Sequence, residues 1–255
     1  MISRVSTRYR ARCLQILLPL WIAAPVAAEP RIELPSDRPI RAGFVVVEGV
    51  YNTELMAPWD VFQHTVNHSD HPGIEVFTIA ERPGPITTAE GIRLLPDFTF
   101  ETAPPLDILV VPSAERSRDA DRQNSVLTSW VRQAGSQAKF VVSLCWGAFI
   151  LAEAGLLDGH SATTFPGDYD RFSETFPDLD LRINVSFVHD GSVLTSQGGA
   201  RSYDVAMYLI ELLFGQETAQ GVGSGLLIDW PMEPGIGRSF ISDPELAVLK
   251  VGTTD

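Results

Sequence analysis

Cys145 lies in VVSLCWGAFILAEAGLLDG, residues 141–159, where a run of β-forming residues ends in the thiol and a helical pattern begins at once behind it. A nucleophile on such a strand-to-helix corner is held exposed at a strained angle. The free N–H groups of the next turn, through Trp146 and Gly147, can receive negative charge, and the same helix start lowers a thiol pKa. The chemistry this arrangement supports is attack by sulfur on an electrophilic carbon. The competing reading is a buried small hydrophobe, the usual fate of a free cysteine.

Five histidines offer a second kind of chemistry. His64, His68 and His71, with Asp70, form QHTVNHSDH, and a spacing of four sets His64 and His68 on one helix face, as a metal pair requires. No second liganding cluster accompanies them, so the segment reads as a polar helix exit with cationic side chains near its C-terminus, and no metal or cofactor is expected. His160, after Asp158-Gly159, and His189, before Asp190-Gly191, read as turn residues facing solvent.

The elements that must position the thiol follow from periodicity. Phe44-Val45-Val46-Val47, IEVFTIA (74–80), LDILVVP (106–112) and KFVVSL (139–144) are short apolar runs, the mark of strands buried on both faces of a parallel sheet. ELMAPWDVFQHTV (54–66), SVLTSWVRQA (125–134), WGAFILAEA ahead of Gly155, and SYDVAMYLIELLFG (202–215) carry helical spacing. Hairpins are predicted around Glu90-Gly91 within 85–100 and around Asp190-Gly191 within 181–196. Strands alternating with helices mean an α/β doubly wound sheet, whose ligands bind outside the carboxyl ends of the strands. Cys145 is at that end of its strand.

Residues 1–28 read as a signal peptide: Arg4, Arg8, Arg10 and Arg12 precede an apolar run that closes in Val26-Ala27-Ala28, and the run is too short and proline-broken for a membrane helix. An exported, periplasmic protein with no membrane association after cleavage is expected. The formal charge of −13 becomes −17 once those four arginines leave, since no acid precedes Glu29. So acidic a surface disfavours nucleic acid and anionic membranes. Only Cys145 then remains of two cysteines, which excludes an intrachain disulfide. Residues 29–41 form a proline-rich lead-in, 42–217 the domain, and 218–255 a glycine- and proline-rich extension too short to be a second domain.

SLCWGAFILAEAGLLDGHSATT, followed by LTSQGGARSYDVAMYLIELLFG, resembles the ThiJ/PfpI superfamily, also described as class I glutamine amidotransferase-like domains. That family's elbow, Cys-x-Gly-Ala-Phe-x-Leu-Ala-x-Ala-Gly-Leu-Leu-x-Gly, is matched throughout 145–159. The resemblance implies a flavodoxin-like, mostly parallel sheet with helices on both faces, and a homodimer. It also implies an acidic residue after strand one that meets the sulfur, which in TELMAPWDVF is Glu54. Two anions that close resist ionising together, so the pair is expected to share a proton. The alternative for Glu54 is a carboxylate favoured by a helix N-terminus capped by Asn52 or Thr53.

The departures are as informative. Members with hydrolase or glyoxalase-type activity carry a histidine after the cysteine or in a Thr-Thr-His stretch; here Trp146 and Phe165 fill both places. The strand-three loop, commonly Val-Pro-Gly-Gly, reads Val111-Pro112-Ser113-Ala114, so Ser113 and Ala114 are the candidate ligand-binding residues there, with Trp146, Gly147 and Phe165 across the site. Lowering the thiol pKa by about three units from about 8.5 raises the thiolate fraction at pH 7 about thirty-fold and lowers nucleophilicity about 16- to 32-fold. A low pKa alone is therefore no catalyst, and a missing general base forfeits about 10² to 10⁴ in rate. Proteolysis and amidotransfer are disfavoured. Similarity to isonitrile hydratases at the elbow implies a cysteine–acid pair that hydrates or hydrolyses a small molecule, Cys145 as nucleophile and Glu54 as proton carrier. The other reading is a non-catalytic module that binds a small ligand or senses oxidants through Cys145. Tyr169 and Arg201 are further pocket candidates, and Asp204 is read as capping the last helix.

Overall fold

The computed structural model describes residues 34–231 and the backbone of a strand at 239–241, so the predicted signal segment lies outside the described residues. In chain order the strands are β1 (Ile40–Val45), β2 (Ile74–Ala80), β3 (Ile86–Thr87), β4 (Arg93–Leu94), β5 (Phe98–Thr99), β6 (Ile108–Val111), β7 (Phe140–Leu144), β8 (Ser161–Ala162), β9 (Asp180–Leu181), β10 (Phe187–Asp190), β11 (Val193–Ser196) and β12 (Ser239–Ile241). The helices are α1 (Asn52–His64), α2 (Ser125–Gln137), α3 (Gly147–Glu153), α4 (Tyr169–Thr175), α5 (Arg201–Phe214) and α6 (Gln216–Leu226).

The main sheet runs β12-β10-β11-β7-β6-β1-β2-β5. Neighbours are parallel except β10 and β11, the predicted hairpin around Asp190-Gly191. Pleating explains why the central strands read as unbroken apolar runs. Ile108 and Val110 of β6 enter one core with Leu55 of α1 and Leu209 of α5, while Leu109 and Val111 enter the other with Val131 of α2 and Phe149 of α3. Both faces of the sheet are thus covered, as a flavodoxin-like fold requires.

β1 starts at Ile40, ahead of the predicted Phe44. Asp107, at the foot of β6, holds that start by accepting from Arg38 at 2.7 and 3.1 Å and from the Arg41 N–H at 2.9 Å. β3 and β4 form the predicted hairpin around Glu90-Gly91 as a short antiparallel pair, and β5 then joins the sheet edge beside β2. α3 and α5 stop where expected, at Gly155 and Gly215, both in positive φ.

The extension contributes elements of its own. Its GVGSGL, for which no element is predicted, lies in α6, and the glycines admit close neighbours: a Cβ on Gly221 would meet the His68 ring at 2.7 Å, and one on Gly223 the Ile228 carbonyl oxygen at 2.6 Å. Its far end supplies β12, parallel to β10. No helix among the described residues is long and apolar enough to cross a membrane.

Candidate active site

β7 lies between β6 and β11, and its carboxyl end delivers Cys145 to a corner with φ of 53°, left-handed backbone sparsely allowed to an L residue. The corner is held from two sides: the Cys145 N–H donates to the Ser196 carbonyl at 2.9 Å, and the Thr164 hydroxyl donates to the Cys145 carbonyl at 2.9 Å. Two glycines make room for it. A Cβ on Gly147 would stand 2.0 Å from the Val111 carbonyl oxygen, so only glycine lets α3 start this close to β6. A Cβ on Gly198 would stand 2.2 Å from Cys145 Cβ. Such surroundings leave the cysteine 6% exposed.

Glu54 occupies the first turn of α1, equally buried, and its Oε1 accepts from the Gly199 N–H at 3.0 Å. Tyr51, not Asn52 or Thr53, precedes that helix, and no side chain caps it. The glycine pair after β11 therefore touches both partners, Gly198 packing on the cysteine and Gly199 fixing the carboxyl group.

Burial pushes the Cys145 thiol up to about 12, and the negative charges of Glu54 and Asp168 add to that rise. Ser113 and the Trp146 N–H act the other way. The sequence-based expectation of a lowered pKa is thus reversed, because α3 has only seven residues and its N–H groups are outweighed by desolvation and two carboxylates. At rest the sulfur is a thiol, and a base must take its proton when it attacks. The Ser113 hydroxyl is fully buried, faces the sulfur, and lacks a conventional hydrogen-bond partner.

Beside the elbow the structure assembles residues from three loops. Trp146 Nε1–H donates to Asp168 at 2.7 Å; Arg118 donates to the other oxygen of Asp168 at 2.5 Å and stacks 3.8 Å from the Trp146 ring centroid. Tyr51 and Phe165 present ring edges to Trp146 at 5.8 and 6.2 Å. Ser113 and Trp146 act on the sulfur directly, Gly147 opens the helix behind it, and Phe165 reaches the Trp146 ring. The Ala114 N–H is taken by the Ser117 hydroxyl at 2.8 Å and is not free for a ligand. Ser113 keeps negative φ, so the loop does not reproduce a glycine conformation.

The other predicted positions make contacts of their own. Tyr169 accepts from Gln197 through its hydroxyl, and Arg201 pairs with Asp204 at 3.1 Å in the first turn of α5, where Asp204 makes no capping bond. His68 follows the end of α1, and both it and His64 face Gly225 of α6, whose Cβ position would lie 3.6 and 3.8 Å from their rings. His189 is not solvent-facing: it is fully buried between the Tyr208 hydroxyl and the Gly191 carbonyl, because it belongs to β10 rather than to the turn. Among the described residues no group of three or more His, Cys, Asp or Glu side chains could hold a metal. Arg118 and Asp168 were missed, since each lies in a loop whose path no local pattern specifies. The Gly198-Gly199 pair was the one visible signal of a close approach.

A doubly wound sheet with a strained cysteine at a strand's carboxyl end, faced by a buried glutamate, defines an elbow-cysteine α/β protein. The model of the DJ-1/PfpI family matches residues 40–212, and the chain belongs to that family. It is 30% identical over 182 residues to the isonitrile hydratase of Pseudomonas putida, covering 71% of this chain and 75% of that one. It is 31% identical over 146 residues to the HTH-type transcriptional regulator CdhR of Pseudomonas aeruginosa, covering 57% of this chain and 42% of the regulator. Its fold is similar to the crystal structure of a ThiJ/PfpI family protein from Pseudomonas syringae, with a TM-score of 0.67, 22% identity and 78% of each chain covered.

Proposed function

We propose that the protein is a cysteine-dependent enzyme that hydrates or hydrolyses a small molecule, in the manner of an isonitrile hydratase. The observation that carries this reading is the buried Cys145–Glu54 pair, with the thiol on a left-handed corner and the carboxylate fixed by the Gly199 amide. For an isonitrile R–NC, the sulfur bonds to the terminal carbon as Glu54 takes the thiol proton and returns it to that carbon. A thioimidate R–N=CH–S results. Water adds to the same carbon, its proton moving through Glu54 to nitrogen, and the C–S bond breaks to release the formamide R–NH–CHO and restore the thiol. Ser113 Oγ and the Trp146 N–H favour negative charge on sulfur during attack and departure.

The same proposal places the protein outside the cytoplasm, in the periplasm, on the order of charge, apolar run and small residues in 1–28. It makes the protein a homodimer without cofactor, by its family resemblance.

The test is formation of an N-substituted formamide from a simple alkyl isonitrile by the purified protein. Turnover lost in Cys145→Ser and in Glu54→Gln is expected. A second reading, a ligand-binding or oxidant-sensing module, is favoured by Trp146 and Phe165 at the two histidine places and by the similarity to a transcriptional regulator. Absence of turnover, with Cys145 oxidised to a sulfenic acid by peroxide, would select it.

A further inference from the structure

The cluster beside the elbow has a use that neither Cys145 nor Glu54 explains. A guanidinium next to a reactive thiol ordinarily invites an anion. Here it is occupied. Asp168, itself nearly buried, takes Arg118 on one oxygen and the Trp146 indole N–H on the other, and the guanidinium plane lies against the ring. Arg118 Nε is buried without a hydrogen-bond partner, while the side chain as a whole is 26% exposed. Glu54, held by the Gly199 amide, stands near the same sulfur as a second acidic group.

We propose that Asp168, by holding Arg118 against Trp146, is a specificity-determining residue that closes the Cys145 site to anions and reserves it for small uncharged molecules. The Arg118–Asp168 pair is electrically neutral, and the rings of Tyr51 and Phe165 pack on that of Trp146, the residue after the thiol. An incoming carboxylate or phosphate finds no free cation at the elbow and meets Glu54. A neutral electrophile meets only ring faces and the Ser113 hydroxyl. Trp146 follows Cys145 directly in sequence, so the carboxylate that neutralises Arg118 through one oxygen also fixes, through the other, the ring next to the thiol in the chain.

The inference rests on Cys145 being the reacting group, and its test separates the two. The full-length protein is treated at pH 9 with iodoacetamide or with iodoacetate, reagents of the same size that differ in charge, and Cys145 is followed by peptide mass spectrometry apart from Cys13. The ratio of the two rates cancels any change in thiol pKa. Wild type is expected to favour iodoacetamide by about tenfold beyond the ratio for a cysteine peptide. Asp168→Asn, which frees Arg118, is expected to move the ratio toward iodoacetate by about tenfold. Arg118→Gln, which leaves Asp168 uncompensated, is expected to move it the other way. Loosened packing would shift both variants together, so only the charge assignment gives opposite signs. Should Asp168→Asn fail to fold, the wild-type ratio and Arg118→Gln still decide. A wild-type ratio equal to the peptide's, or variants that shift alike, would overturn the inference and leave Cys145 as the reacting group. If neither reagent modifies Cys145 in the folded protein while both do after unfolding, the proposed function falls and the inference with it.

Discussion

Gly198→Ala tests the packing that holds the elbow. The added Cβ would stand 2.2 Å from Cys145 Cβ and 2.9 Å from its Cα and N, in a backbone with φ of 82°. A left-handed conformation costs an alanine about 1–2 kcal/mol, and forcing a methyl into a packed site costs about 1–3 kcal/mol more. A loss centred near 3 kcal/mol lowers the thermal midpoint of a domain this size by about 6–12 °C. Gly199→Ala is the control: φ is 54° and nothing lies within 4 Å of its Cβ, so only the backbone cost of about 1–2 kcal/mol applies. Circular dichroism melts of both variants give the comparison, and alkylation of Cys145 should quicken only in Gly198→Ala as the corner is pushed open. Equal losses in the two variants, or a Gly198→Ala midpoint within about 2 °C of wild type, would refute the cradle.

Two other outcomes follow from particular contacts. Burial holds the His189 imidazole below its ordinary 6.5, so the unfolded chain takes up the proton first as pH falls. The stability from this group is therefore complete above about pH 6.5 and declines below it; urea midpoints at pH 7.5 and 5.5 should differ more in wild type than in His189→Gln. Phe165→His returns an imidazole to the place where the family's hydrolases carry one. Consumption of glyoxal or of a model ester in this variant and not in wild type is expected, and none in either would show that more than the histidine is missing.

The central strands and the elbow were legible because each is a local pattern. The apolar runs at 74–80, 106–112 and 139–144 mark doubly buried strands, and Gly155 and Gly215 mark helix ends. Glu54 was reached through the family elbow and not through its own surroundings, since a carboxylate in a first helical turn has an ordinary explanation. What escaped depends on contacts distant in sequence. Asp168 meets Trp146 and Arg118 across 22 and 50 positions. α6 is glycine-rich where neighbours press on it, and composition alone cannot distinguish that from a loop. The direction of the Cys145 shift was inverted for the same reason: the helix start is local, whereas the burial that outweighs it is tertiary.

The central claim is that the resting sulfur, kept protonated chiefly by burial and further by the charge of Glu54, gives its proton to Glu54 when it attacks. The most direct measurement is the pH profile of Cys145 alkylation by iodoacetamide in wild type and Glu54→Gln, set beside turnover of an alkyl isonitrile. Wild type is expected to rise without a plateau through pH 10, consistent with a thiol near 12, and Glu54→Gln to shift the profile down while abolishing turnover. Faster alkylation together with lost turnover is the signature of a carboxylate that is both charge and base. A wild-type midpoint below about 8.5, or a profile that Glu54→Gln leaves unmoved, would contradict it.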